Sequence, residues 1–176
     1  MEVTRFVAAE RTAELGKGPI FVETATGGDI DGLAFAPYKA AVADELGRLG
    51  YREADRSEAG QIAQVTLVRY VLDSGGKRSP VSVGVGGSTG SYGSGVGVGI
   101  GINLGGGAKD RLGTKLAVSI RDKASGESLW EGRADFRPPE DSPLARGQAN
   151  AQTVASALFR DFPGNNGETI EVEVTE

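Results

Sequence analysis

The segment Gly86-Gly87-Ser88-Thr89-Gly90 spells the G-x-S-x-G signature of a serine nucleophile. That signature works only at a sharp strand-to-helix elbow with a base in reach. Here the serine sits within the Gly/Ser stretch Gly87 to Ser94, no helical pattern follows it, and the chain contains no histidine to take the proton. Cysteine is also absent. Together these absences remove thiolate nucleophiles, disulfides, iron–sulfur clusters, imidazole-held haem, zinc sites of the His/Cys kind and every triad built on an imidazole.

Phosphate-binding signatures fare no better. No G-x-G-x-x-G occurs despite 28 glycines, and Gly16-Lys17 and Gly76-Lys77 lack both the upstream glycine and the following Ser/Thr of a P-loop. Carboxylate pairs do occur, at Asp44-Glu45, Glu53-Asp55 and Glu140-Asp141. Acid–base chemistry needs two carboxylates converging in a cleft, and neighbours on a helix or loop do not converge by themselves. Solvated surface charge is the expectation for all three, and no EF-hand spacing organises them around a cation. The sequence therefore predicts no enzyme activity, no cofactor and no metal.

The chain has 176 residues, 39% hydrophobic and 24% charged, which suits one domain with a packed core. Its net charge of -5 supplies no basic field for nucleic acid or anionic lipid. No apolar run reaches transmembrane length. The N-terminus lacks the basic and apolar regions of a signal peptide, and its strand-like start at Val3 suits a chain whose leader has been removed.

Strand patterns come first. Val3, Arg5 and Val7 alternate with Thr4 and Phe6, and Pro19 to Thr24 reads as a second strand expected to pair with the first across a turn at Leu15–Gly18. Phe35, Tyr38, Val42, Leu46 and Leu49 share one helical face, with Pro37 in the first turn and Gly50 as a C-terminal cap. Ile62 to Leu72 reads as a central strand, and Leu116–Arg121 pairs with Ser128–Phe136 around a turn. A second helix is expected from Pro143 or Leu144 to Phe162, with Ala151, Val154, Ala155, Leu158, Phe159 and Phe162 as its stripe. Thr169 to Val174 alternates as a half-exposed last strand. This order predicts one α+β domain over residues 1–176, a largely antiparallel sheet with two helices packed on one face. Its expected core includes Phe35, Tyr38, Leu46, Trp130, Val154, Leu158, Phe159 and Phe162.

Residues 80–107 stand apart. From Gly84 to Gly107, 12 of 24 residues are glycine and none is charged. Val81, Val83 and Val85, then Val96, Val98, Ile100 and Ile102, alternate with Gly or Ser, so each run has one branched apolar face and one bare backbone face. A long Gly/Val-rich β-hairpin is predicted. Glycine in a strand costs roughly 0.5–1 kcal/mol relative to alanine, so such a hairpin must be held by something else. It completes the core, joins another chain, or enters a membrane as part of an oligomeric barrel. Tyr92, Gly95, Gly97, Gly99 and Gly101 are its candidate interaction surface.

Leu116 to Asp122, the Ser125-Gly126 turn, and Leu129-Trp130-Glu131-Gly132-Arg133-Ala134 resemble a segment of the domain-of-unknown-function 4136 family, in which a strand ending in Asp and a Gly turn precede a Trp-x-Gly strand. Val3-Thr4-Arg5-Phe6, Leu46 to Tyr51 (LGRLGY), the Gly/Val tract and Leu158 to Pro163 are similar too. The resemblance implies a bacterial envelope protein, commonly a lipoprotein facing the periplasm and associated with the outer membrane. It provides no catalytic residues. The leader and lipidated cysteine of such lipoproteins are not in this sequence, so a lipid anchor is expected only in the native precursor. The functional expectation is a non-catalytic envelope domain that binds or scaffolds other envelope proteins or itself, with no nucleic acid. A self-assembling or pore-forming subunit whose hairpins join in a shared sheet is the alternative. A carboxylate-dependent hydrolase carries less weight.

Overall fold

A computed structural model describes residues 1–25, 34–72, 78–80, 111–139 and 141–174. Its strands are β1 (Glu2–Val7), β2 (Gly18–Thr24), β3 (Tyr51–Glu53), β4 (Gln61–Leu72), β5 (Arg78–Pro80), β6 (Arg111–Asp122), β7 (Ser128–Phe136) and β8 (Thr169–Glu171). Two α-helices, α1 (Ala36–Arg48) and α2 (Gly147–Phe159), accompany them. The strands make one eight-stranded sheet in the order β3-β2-β4-β6-β7-β1-β8, with β5 also on β4. Pairing is antiparallel except where β2 runs parallel to β3 and β4. This is the α+β, largely antiparallel architecture with two helices on one face that the sequence predicts.

One expected pairing is wrong. β1 does not pair with β2; it lies between β7 and β8, and β2 is in the other half of the sheet. Residues 8–17 are too many for a tight hairpin loop, and a 3-10 segment at Ala9–Glu14 carries the chain away instead. β2 then gains a parallel partner on each side, β3 after α1 and β4 after the turn at residues 54–60.

The second helix is shorter than its apolar stripe suggests. A 3-10 turn at Pro143–Ala145, capped by Ser142 Oγ accepting from the Leu144 amide at 3.2 Å, precedes it. It stops at Phe159, where Arg160 leaves the helical region with a ψ of 133° and Asp161 takes a left-handed φ of 55°. Phe162 thus lies outside the helix, yet its ring still packs 5.2 Å from that of Trp130. At the end of α1, Gly50 adopts a φ of 105°, and a Cβ there would collide with the carbonyl oxygen of Gly16. The cap therefore needs glycine for both its conformation and its close approach.

The core fills the space between helices and sheet. Alternation sends Val3, Val65, Leu116, Val118, Ile120 and Trp130 inward, against Val42 and Leu46 of α1 and Val154, Leu158 and Phe159 of α2. Of the predicted core, Phe35, Tyr38, Leu46, Trp130, Val154, Leu158 and Phe159 are buried, and Phe162 is half-buried against them.

Candidate interaction surface

The alternation that fills the core sends the other side chains to the opposite face of the sheet, on which no helix packs among the described residues. Thr4, Arg133, Ala117 and Thr66 lie side by side across β1, β7, β6 and β4 on that face. Phe6 and Val68 flank this row and are 44% and 45% exposed, the exposed large hydrophobic residues among those described. A shallow depression of about 310 Å³ lies here, lined by Thr4, Thr66, Val68, Lys115, Ala117 and Arg133 among others.

A charged corner closes one end of this face. The Tyr70 hydroxyl donates to Asp135 Oδ1, and Arg137 reaches both, with Nε 3.0 Å from the Tyr70 oxygen and Nη2 2.7 Å from Asp135 Oδ2. Lys115 Nζ is 3.9 Å from Asp135 Oδ2 and 5.6 Å from the Tyr70 ring centre. Burial opposes ionisation of Asp135, but hydrogen bonds from Arg137 and Tyr70 outweigh it and hold the carboxyl below its ordinary range. Burial, then the bond to Asp135, pushes the Tyr70 hydroxyl up. Tyr70 can lie over its cross-strand partner because that partner is Gly113, where a Cβ would meet the ring at 2.6 Å or less.

β4 ends and β6 begins at this corner, with Leu72 opposite Arg111 in register. β5 pairs with β4 at this end too, with Ser79 opposite Val71. The predicted hairpin at 80–107, with Tyr92, Gly95, Gly97, Gly99 and Gly101, lies outside the described residues except for Pro80 at the end of β5. The G-x-S-x-G match at Gly86–Gly90 lies outside them too.

Polar groups on the helical side are engaged in holding the fold. Asn150, fully buried in α2, accepts on Oδ1 from Tyr38 Oη at 2.6 Å and Thr114 Oγ1 at 3.0 Å, and donates from Nδ2 to the Leu144 carbonyl at 2.7 Å. Arg69 joins it, with Nη1 2.5 Å from Tyr38 Oη and Nη2 3.0 Å from the Ala145 carbonyl. Arg5, 1% exposed, donates to the carbonyls of Leu158 and Arg160 at the end of α2 and to Glu168 Oε1 at 2.9 Å. A cation at a helix C-terminus complements the dipole and satisfies its spare carbonyls.

A second groove of about 440 Å³ runs between α1 and α2, with Asp44, Glu45, Arg48, Gln152 and Arg160 among its lining. Glu45 is paired with Arg48 at 2.7 Å, so the first carboxylate pair belongs to a helix surface. Glu53 and Asp55 are exposed around the end of β3. Among the described residues no group of Asp and Glu side chains is placed to hold a metal ion.

Sequence reasoning passed over Arg5, Arg69, Thr114 and Asn150. The signal for Arg5 was its parity, since it alternates in step with the inward Val3 and Val7. Phe6 and Val68 carried no signal, because an apolar residue on a strand looks the same whether or not a second layer covers it.

Among curated proteins nothing matches this chain. Solved structures align with it at low identity. Part of a PDZ domain protein from Parabacteroides distasonis ATCC 8503 aligns with a TM-score of 0.53 at 13% identity, covering 97% of this chain and 38% of that one. A PelC dodecamer from Paraburkholderia phytofirmans aligns at 0.49 and 11% identity, covering 90% of this chain and 95% of that one. A candidate lipoprotein from Caulobacter crescentus CB15 aligns at 0.36 and 16%, covering 81% and 82%. The family model for a domain of unknown function, DUF4136, matches residues 20–164, from the inward Ile20 of β2 to the turn after α2. Since that match takes in both helices and every strand but β1 and β8, this chain belongs to the DUF4136 family.

Proposed function

We propose that this chain is a non-catalytic binding module of the bacterial envelope, and that the sheet face opposite the two helices is where it receives a partner protein. The observation that carries this reading is the exposure of Phe6 and Val68 on either side of the Thr4–Arg133–Ala117–Thr66 row. A non-obligate protein interface is of this mixed kind, with apolar and polar side chains side by side and no single large apolar patch. The charged corner at Tyr70 borders this face. An envelope address is supported by the resemblance to envelope lipoproteins. Among the described residues no helix is long and apolar enough to cross a membrane.

The test is photo-cross-linking in cells, with the cross-linker placed at residue 68, at residue 117, and at residue 152 on the helical side as a control. Adducts of defined size from 68 and 117 but not 152, recovered in the envelope fraction, are expected. Equal labelling at all three positions, or recovery in the cytosol, would overturn the reading.

Self-association is the second reading, favoured by the uncharged Gly/Val alternation from Val81 to Ile102. Charged replacements of Gly97 and Gly99 are then expected to lower the mass measured by light scattering while leaving the monomer folded. An unchanged mass counts against it.

A further inference from the structure

The turn between α2 and β8 contains Asn166-Gly167, the sole Asn-Gly step in the sequence. Such a step is chemically unstable. The backbone nitrogen of Gly167, once deprotonated, can attack the side-chain carbonyl carbon of Asn166. The new C–N bond closes a five-membered succinimide and the amide nitrogen leaves as ammonia. Water then opens either carbonyl of the ring, yielding aspartate or isoaspartate, so that the net change consumes one water and releases one ammonia. Glycine favours the attack because it has no side chain to obstruct ring closure.

Both residues are exposed, so exclusion of water does not protect them. Hydrogen bonding to β1 does. The nucleophile, the Gly167 amide, donates to the Arg5 carbonyl at 2.9 Å. The electrophile is fixed as well, because Asn166 Oδ1 accepts from the Val7 amide at 3.1 Å and stands in for the backbone acceptor that β8 lacks at this level. The Arg5 amide in turn donates to the Glu168 carbonyl at 3.0 Å, and the Arg5 guanidinium binds Glu168 Oε1. Each reacting group is thus engaged by a different backbone group of the same strand.

We propose that Asn166-Gly167 is a self-modification site that β1 holds closed, so that deamidation proceeds only when the β1–β8 seam opens. Isoaspartate would lengthen the main chain by one carbon between the Val7 and Arg5 contacts. It would move the Gly167 amide and the Glu168 carbonyl off Arg5 and leave the seam unable to close again. The reaction converts a transient opening into a permanent one.

The test incubates the whole chain at mildly alkaline pH, native and in urea, and follows the gain of about one mass unit by peptide mapping with isoaspartate detection. Deamidation at Asn166 is expected to be at least about tenfold slower in the native protein. In native Glu168→Ala, which loosens the seam without touching the reacting pair, an intermediate rate is expected. Equal native and urea rates for the unaltered chain would overturn the proposal, whether or not the variant folds. So would an unchanged rate in a folded Glu168→Ala whose β1 amides exchange faster. Modification that maps to Asn103, Asn150 or Asn165 in place of Asn166 would overturn it too.

Discussion

The indole of Trp130 occupies the space where a Cβ of Gly132 would stand. Cζ2 of the ring and Cδ1 of Leu158 would each lie 2.8 Å from that atom, and Cη2 would lie closer still. The two residues share a face of β7, and the bare backbone at 132 lets the ring lie along the strand and stack on Phe159 at 5.3 Å. The indole N–H reaches the Pro163 carbonyl at 2.9 Å and ties β7 to the turn after α2. A Trp-x-Gly spacing is thus a packing device here.

Gly132→Ala is therefore expected to destabilise the fold by about 1–3 kcal/mol, the usual cost of overpacking a filled core. Urea unfolding followed by Trp130 fluorescence measures it. An unchanged midpoint would show that the ring can move aside.

Arg5→Met keeps the buried stem and removes the guanidinium, leaving the carbonyls of Leu158 and Arg160 without their donor and Glu168 without its cation. A loss of about 3 kcal/mol is expected, the lower end for breaking a buried ion pair. Amide exchange should rise first at β8 and the end of α2. Uniform change across the sheet would contradict the local role.

Hydrogen bonds from Asn165 and then Arg5 hold the Glu168 carboxyl below its ordinary range. A depressed folded value means that the folded state gives up this proton more readily than the unfolded chain. Stability from Glu168 is thus present above the unfolded value of about 4.3 and lost as pH falls through the lower folded one. Glu168→Gln should be less stable near neutrality and should show a shallower acid limb. Parallel acid-unfolding curves would refute this.

Asn150→Ala removes the acceptor shared by Tyr38 and Thr114 and the donor to Leu144, stranding several buried polar atoms at once. A cost of about 3 kcal/mol or more is expected, against about 1 kcal/mol for Thr114→Val, where a single bond is lost. Equal midpoints for the two variants would show that Asn150 is not the hub.

Phe6→Lys and Val68→Lys alter side chains that face away from the core, and each should shift stability by no more than about 0.5 kcal/mol. Cross-linking from residue 117 should fall in both. Large destabilisation would mean that this face is covered within the native chain.

Much of the architecture is legible in the linear pattern, because side-chain periodicity reports directly on which residues share a face. The α1 stripe, the long β4 strand, the β6–β7 pair and the anchoring of Trp130 all follow from local alternation and turn chemistry. The absence of histidine and cysteine, and the resemblance carried by Trp130-Glu131-Gly132 and its neighbours, are equally sequence properties. What periodicity does not encode is which element neighbours which. The separation of β1 from β2, the seating of β1 between β7 and β8, and the convergence of Tyr38, Arg69, Thr114 and Asn150 depend on contacts between residues far apart in the chain. Arg5 shows the difference most clearly. Its inward parity is written in the Val-Thr-Arg-Phe-Val alternation, but the carbonyls that make a buried guanidinium tolerable are more than 150 positions away, at Leu158 and Arg160. That both helices settle on one face of the sheet is likewise a choice made by packing and not by any one strand.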